Sequence, residues 1–532
     1  MSAPAPTARG RAVLGAAPRP LLRMAFAAPL SVVAGLLLVT AYPALSWWPM
    51  AFPAVALALV VLVGRRFWSA VLIGFLFGAA FFSVNLLFTA RYLGPIPWMA
   101  LSVLEALLTA VFAAPIALAY RWMPRIAPGR IGRLLLLPAL VAGLWTLREQ
   151  IVGSWPYGGF PWGRIGVSQV NGPFAEVASW VGMSGLSFLA VLLCAMVIEI
   201  VRRPRVRRGI AAVPAAVVLI VLLVVPQFPT SEAGSLRVGA VQGNGPAGYF
   251  DQRERNAVLN AQLAASAPLL GQSMDVLLWP EGGVDSDPTA NASTSAVLEE
   301  LSRRVEAPLL VSAVTERGSE LFNSSLLWTA EGQAGPTYDK RHPVPFGEYV
   351  PDRSFWEPFA PDLIGLIGRD YTPGTARPLI DVNGVGVGLA ICFDVIYDDV
   401  VWDGAAEGAE VYMFQTNNAD FRGTDENLQQ LAFARMRAIE TGRSVVNLST
   451  VGTSQVIAPD GSTLDELPID IAGHMLTDVP LRTGTTAAVV IGPAVKIVLG
   501  WGSLAGLLVA GAIVLGRSRR TKKTPAPVGT GV

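Results

Sequence analysis

The sequence predicts a polytopic α-helical membrane domain of about eight spans that carries an α/β domain on its extracytoplasmic side. Three observations predict it. Of 532 residues, 52% are hydrophobic and only 15% charged, too apolar for a soluble chain of this length. Arginine clusters occupy alternate loops between the apolar segments. A stretch of ordinary globular composition, about 234–484, alternates short apolar runs with amphipathic ones, and one of those runs stops abruptly at Cys392.

Taken in order, residues 1–28 are Pro/Ala-rich and carry Arg9, Arg11, Arg19 and Arg23. They have the charge of a signal-peptide n-region. The apolar stretch behind them is too long and too many others follow it, so they read as an uncleaved cytoplasmic tail. Apolar segments then run over about 29–46, 50–64, 68–90, 97–120, 132–147, 174–201 and 209–228, a membrane domain (29–228) of seven transmembrane helices. The first two form one block broken only by Pro43, Trp47, Trp48 and Pro49, and the fifth is short. After the polar region (229–486) a final span falls at about 497–516, within 487–516, and the basic, then Pro/Gly-rich tail 517–532 reads as disordered. The basic clusters lie before span one, at Arg65-Arg66, between Arg121 and Arg133, between Arg202 and Arg208, and from Arg517 to Lys523. The positive-inside rule places all of these, and both termini, in the cytoplasm, and the same parity places 229–486 outside.

Within the outer region, strands are predicted at Leu236–Gln242, Val276–Trp279, Pro308–Ser312, Val387–Ile391, Val411–Phe414 and Ser444–Asn447, with helices near 252–265, 293–305 and 424–441. This is one α/β domain. Net charge is +1, which leaves no field for nucleic acid. Two Cys and two His (His342 and His474) give no metal-ligand cluster. The reading calls for no metal and no cofactor. Cys194 lies inside an apolar segment, which argues against a disulfide to Cys392.

Three places in this domain end a strand or follow one: Val276-Leu277-Leu278-Trp279-Pro280-Glu281, the run from Tyr338 through Lys340 to Glu348, and the Cys392 strand. Catalytic groups of α/β proteins collect at strand carboxyl ends. A thiol nucleophile needs a base for its proton and a cation or donor for the oxyanion that forms, and Glu, Cys and Lys supply these parts. Each also has a plain reading. Cys392 is equally a small buried hydrophobe, Glu281 an N-cap or surface acid, Lys340 a solvated charge beside Arg341. Against the last, only four of 40 basic residues are lysine, and Lys340 is the only one in the domain. A site that keeps lysine in an arginine-rich chain asks for a compact ammonium. Arg341 itself reads as a neighbouring surface charge.

Trp279-Pro280-Glu281, Lys340 ahead of Pro345-Phe346-Gly347-Glu348, and Ile391-Cys392-Phe393-Asp394 resemble the three signatures of the nitrilase superfamily. Seven spans, the domain, then one more span resemble the apolipoprotein N-acyltransferases within it. So do Gly159-Phe160-Pro161-Trp162, Val241-Gln242-Gly243-Asn244, the loop Val344 to Pro351, and Ala434 to Glu440 leading to Asn447. The resemblance implies a nitrilase-like αββα sandwich in a multi-pass protein of the bacterial plasma membrane. It implies transfer of a fatty acyl chain from a phospholipid to the α-amino group of a diacylglyceryl-cysteine on an apolipoprotein, by way of a cysteine thioester, by a monomer. Carried over by position, it makes Glu281 the general base, Lys340 the oxyanion stabiliser, Cys392 the nucleophile and Glu348 the supporting carboxylate, with Phe346, Tyr349, Trp356 and Phe393 contacting substrate. The sequence departs from the usual pattern at Phe393 and Asp394, where tyrosine and glutamate are common. It departs again at Asn418 and Asp420, and where Tyr249 or Phe250 replaces a tryptophan.

Segment 344–367 holds Phe355, Trp356, Phe359, Leu363 and Ile364, unusually apolar for a loop. It reads either as a membrane-dipping lid or as packing on its own domain. Two other functions stay open: a membrane-tethered amidase acting on a small amide, which would need only one anchor, and a non-catalytic lipid or lipoprotein scaffold, which would leave the three signatures without a purpose.

Overall fold

The computed structural model describes residues 18–204 and 208–522. Its first part is helical: α1 (Met24–Val39), α2 (Ala51–Leu62), α3 (Phe67–Asn85), the short α4 (Thr89–Leu93), α5 (Pro95–Ile126), α6 (Leu137–Val152), α7 (Ala178–Val201) and α8 (Arg208–Val224). Five described helical segments are long and apolar enough to cross a membrane: 67–85, 95–126, 132–152, 175–201 and 487–518. Three shorter apolar ones, 24–39, 48–62 and 208–224, stand where the first, second and seventh spans are predicted. Proline and the Ser46–Trp48 turn divide the first apolar block, as its sequence suggests. Two terminal expectations change. Residues 24–28 of the predicted tail already belong to α1, and the last helix continues through Lys522, past the predicted start of the disordered tail. The remainder of both tails, 1–17 and 523–532, lies outside the described residues. Val103, Leu107 and Val111 on α5 are exposed outward, an apolar surface suited to acyl chains rather than water.

The second part contains twelve strands among the described residues: β1 (Ser231–Gln242), β2 (Val276–Leu278), β3 (Leu309–Arg317), β4 (Glu320–Thr329), β5 (Gly332–Asp339), β6 (Leu379–Val382), β7 (Val385–Ile391), β8 (Val411–Thr416), β9 (Ser444–Ser449), β10 (Ser454–Ile457), β11 (Thr463–Leu467) and β12 (Gly473–Thr483). They form two six-stranded sheets, ordered β12-β1-β2-β3-β4-β5 and β11-β10-β9-β8-β7-β6. The centre of each is parallel, β1-β2-β3 and β7-β8-β9. The other helices are α9 (Ala257–Ser266), α10 (Ala292–Val305), α11 (Arg353–Trp356), α12 (Pro361–Leu366), α13 (Asp398–Ala406), α14 (Glu426–Thr441) and α15 (Ala487–Lys522).

Alternation along the central strands assigns the layers. Leu278, Leu310, Leu389, Ile391, Met413 and Val446 point between the sheets and form one core. Leu277, Leu309 and Val311 point the other way, against Leu298 and Leu301 of α10. Ala390, Tyr412 and Phe414 on the outer face of the second sheet pack beneath α13 and α14, and that core runs on without a break into the membrane helices. Because both faces are covered, the central strands read as continuous apolar runs. The order of layers is α–β–β–α, with the outer helical layer of the second sheet seated on the apolar helices.

Candidate active site

Three strand ends bring the site together: those of the central strands β2 and β7 and of the edge strand β5. Strand β2 ends at Leu278, Trp279 is fully buried with its Nε1 donating to Ser266 Oγ at 3.1 Å, and Pro280 halts the ladder so that Glu281 turns inward. Strand β5 delivers Lys340, whose backbone N–H donates to Asn323 O at 2.8 Å. Strand β7 ends at Ile391, and Cys392 takes φ +50°, the left-handed region that a non-glycine residue enters only under constraint. A short helical turn, Cys392–Ile396, starts there. The thiol stands at a sharp strand-to-helix elbow, partly accessible.

Lys340, 1% exposed, lies between two buried carboxylates. Its Nζ is 3.3 Å from Glu281 Oε1 and 2.9 Å from Glu348 Oε2. Asn323 Nδ2 donates to both acids, at 2.7 Å to Glu281 and 3.1 Å to Glu348. Glu348 also accepts the backbone N–H of Val344 at 2.8 Å. The tight turn at Phe346, φ +58°, folds the loop back so that Glu348 reaches Lys340. The Cys392 thiol and the Glu281 carboxyl lie close enough to act on each other's protonation, and Lys340 acts on both.

The charges follow from these contacts. Burial raises the Glu281 carboxyl, Lys340 pulls it down and Glu348 pushes it up, with a net rise. Burial also acts to raise Glu348, but Lys340 and the Val344 N–H outweigh it and hold it below the usual carboxylate range. Burial opposes the Lys340 charge, yet Glu281 and Glu348 overcome this and hold its ammonium well above the ordinary lysine value. Burial lifts the Cys392 thiol well above its usual value. Glu281 adds to that and Lys340 offsets part of it. At rest the sulfur is a neutral thiol beside a carboxyl of raised basicity, an arrangement in which proton transfer accompanies attack rather than precedes it.

Asp394, one of the departures, ties two of these segments together. Its carboxylate accepts from Tyr338 Oη at 2.7 Å and from the backbone N–H of His342 at 2.9 Å and Ile391 at 3.3 Å. The shorter acid therefore still joins the Lys340 strand to the cysteine elbow. Arg341 is more than a neighbouring surface charge: its guanidinium binds Asp403 of α13 at 2.7 Å and Ala376 O at 3.1 Å.

The structure divides the other four predicted contacts. Phe346 and Trp356 pack edge to face at 5.7 Å beside Tyr157, and Tyr349 is half-buried in the same loop. Phe393 is buried at 5% exposure between Phe160 and Tyr397. That placement packs its ring under the elbow, tilted against Phe160 and edge-on to Tyr397. The 344–367 segment is packed at its base and exposed at its tip. Val350, Ile364 and Ile367 form a small core with Leu93 of α4, while Phe355 (57%) and Phe359 (74%) are exposed.

The Gly159-Phe160-Pro161-Trp162 motif gains a place. It lies in the loop between α6 and α7 and docks under the cysteine elbow. Phe160 faces Phe393 at 5.6 Å, Gly159 O accepts from Tyr397 Oη at 2.9 Å, and Trp162 Nε1 donates to Gln429 of α14. Next to it Asp398, at the start of α13, receives Arg164 at 2.6 Å, Arg437 at 2.9 Å and Lys496 of α15 at 2.7 Å. Burial favours the neutral acid there, but the three cations hold Asp398 well below the carboxylate range. Sequence reasoning missed Asp398, Asn323, Gln430 and Asn418. A polar residue within an unpredicted strand such as β4 carries no local signal that it faces a site.

A thiol elbow, a buried ammonium and two carboxyls at the strand ends of an αββα sandwich define a carbon–nitrogen hydrolase type of domain. Residues 237–488 match the Carbon-nitrogen hydrolase family model. Residues 34–196 match that of the Apolipoprotein N-acyltransferase N-terminal domain. The chain is 33% identical to the apolipoprotein N-acyltransferase of Mycolicibacterium smegmatis, over 91% of this chain and 85% of that protein. It is 30% identical to that of Azotobacter vinelandii, over 82% of this chain and 86% of that protein. It belongs to the apolipoprotein N-acyltransferase family. Among solved structures, an amidase from Nesterenkonia sp. aligns over 47% of this chain and 92% of its own at 18% identity, with a TM-score of 0.34, too low to carry weight.

Proposed function

We propose that this protein transfers a fatty acyl chain from a membrane phospholipid to the α-amino group of a diacylglyceryl-cysteine on an apolipoprotein, through a thioester on Cys392. The observation that carries the proposal is the burial of Lys340 between Glu281 and Glu348, beside the Cys392 elbow, in a domain whose core continues into apolar helices. In the first half, Glu281 takes the thiol proton as sulfur attacks the ester carbon. Lys340 holds the tetrahedral oxyanion. The C–O bond breaks, the proton passes from Glu281 to the departing oxygen, and a lysophospholipid leaves. In the second half the neutral amine, whose unperturbed pKa is about 8, attacks the thioester and gives a proton to Glu281. The C–S bond breaks, and that proton returns to the sulfur. Glu348 stays ionised throughout and keeps the ammonium in place.

Both substrates carry lipid chains, so the site must open towards the bilayer, with water kept from the thioester. We assign the exposed face of 344–367, with Phe355 and Phe359, to that boundary, and Phe346, Tyr349 and Trp356 to contact with lipid. The five long and three shorter apolar helices support a count of eight spans, and the arginines in alternate loops support 229–486 lying outside the plasma membrane; we take the protein to act as a monomer.

Intact-protein mass measurement tests the reaction. Incubation with phospholipid in detergent should add one fatty-acyl mass to the wild type, which neutral hydroxylamine or an acceptor lipopeptide removes. Cys392→Ser should add none and Cys194→Ser should behave as wild type. Release of free fatty acid without transfer to the lipopeptide would mark a hydrolase instead. No adduct under any condition would leave the scaffold reading standing.

A further inference from the structure

We propose that Gln430 is a further catalytic residue: its amide donates a hydrogen bond to the Cys392 sulfur and stabilises the negative charge that develops there as the thiol proton leaves for Glu281 and again as the thioester C–S bond breaks. The inference rests on Cys392 being the nucleophile. Gln430 lies on α14, is 2% exposed, and its Nε2 is 3.4 Å from Cys392 Sγ. Glu426 and Glu348 oppose a negative sulfur, as does Glu281 until it takes the proton, and Lys340 offsets them while bonded to Glu281 and Glu348. A thiolate here needs a donor of its own, and Gln430 supplies one.

An amide can present either its N–H₂ or its oxygen, and its surroundings decide which. Here the choice is fixed by a chain of hydrogen bonds that starts at the backbone. The Gly452 N–H donates to Ser449 Oγ at 2.8 Å, so the Ser449 hydroxyl must spend its own proton elsewhere. It donates to Asn418 Oδ1 at 2.6 Å. Asn418 therefore turns its Nδ2 outward, to Gln430 Oε1 at 2.9 Å and Glu426 Oε2 at 2.7 Å. With Oε1 engaged, Gln430 can show the sulfur only N–H. Ser449 and Asn418 are buried like Gln430, so water cannot scramble this polarity. Gly452 is required for it: a Cβ there would stand 2.4 Å from Asn418 Oδ1 and 2.9 Å from Ser449 Oγ.

The test is the pH dependence of iodoacetamide alkylation of Cys392 in the Cys194→Ser background, alongside single-turnover acylation from phospholipid, with folding checked by thermal melts. Gln430→Leu should move the alkylation midpoint up by about one to two pH units and slow acylation on the order of 10- to 100-fold, the worth of a hydrogen bond to a charged group. Gln430→Glu, the same shape with a carboxylate in place of the donor, should move it further. Gly452→Ala, distant from the sulfur, should shift the profile in the same direction. A purely structural role would lower the melting temperature and leave the alkylation profile alone. Folded Gln430→Leu with a wild-type profile overturns the proposal. If Gln430→Leu does not fold, an unshifted profile in Gly452→Ala does so. A wild type that is never acylated defeats the acyltransferase reading, while the alkylation profiles still decide whether Gln430 serves the sulfur.

Discussion

Lys340→Arg separates charge from geometry at the centre of the site. The ammonium is 1% exposed and touches Glu281 at 3.3 Å and Glu348 at 2.9 Å, while Asn323 closes the remaining side with bonds of 2.7 and 3.1 Å to the same two acids. A guanidinium is planar, wider and has five donors in a fixed fork. In this space it pairs bidentately with Glu281, which removes the base from the thiol and turns the oxyanion donor away from the substrate. Loss of one oxyanion donor alone costs about 10²–10³ in rate, so single-turnover acylation should fall by at least that order. The positive charge stays, so the two acids remain paired and the fold should hold. Lys340→Met, by contrast, strands two buried carboxylates and should cost on the order of 3–5 kcal/mol of stability as well. The assay is acyl-enzyme formation by intact mass at fixed phospholipid, with melts for each variant and Arg303→Lys, on the exposed face of α10, as the control. Lys340→Arg acylating within a few-fold of wild type would refute the argument, because any cation would then serve.

Further outcomes follow from the junction and the loop. Asp398→Asn should lower stability by roughly 3–5 kcal/mol at neutral pH, since Arg164, Arg437 and Lys496 lose their shared acid. The folded pKa of Asp398 is depressed, so its contribution is complete above the ordinary carboxylate value near 3.9 and is lost as pH falls through the folded value. The gap between wild-type and variant melting temperatures should therefore persist down to about pH 4 and close only below it. Replacing Phe355, Trp356 and Phe359 together with Ser should slow acylation from bilayer phospholipid and spare reaction with a water-soluble activated ester. Equal losses with both donors would point to packing alone. A reporter inserted near Ser286 should be active only outside the membrane and one fused after Pro527 only in the cytoplasm. Activity of both on one side rules out the eight-span arrangement.

The triad candidates were legible because each sits where a strand stops. An apolar run, then Pro280 and Glu281, or a β-branched run, then Cys392, is a local pattern, and the arginine bias of the chain singled out Lys340. The six strands read from sequence are apolar on both faces or nearly so, which a single pass detects. Strands β4, β5, β6, β10, β11 and β12 escaped it. They mix polar with apolar residues, so no apolar run marks them; β4, β5, β6, β10 and β11 close local antiparallel pairs, and β12 pairs with the distant β1. Asn323, which aligns the two carboxylates, carried no signal: it sits within the unpredicted β4, and its side-chain contacts come from Glu281 and Glu348, 42 and 25 residues away in the chain.

The sequence by itself determined the membrane class, an α/β domain and the candidate reacting groups, because hydropathy, charge placement and strand ends are properties of neighbouring residues; the αββα arrangement came from the family resemblance. Only the tertiary structure decided how those groups are charged and aimed. Burial lifts Cys392 and Glu281 while a shared ammonium holds Glu348 down, and these effects depend on what surrounds a group rather than on what precedes it. Tertiary structure also packed Phe393 against Phe160, and gave Gly159-Phe160-Pro161-Trp162 its place beneath the elbow. A residue's type sets what chemistry it can do; whether it faces solvent, lipid or another ring is settled only when distant segments meet.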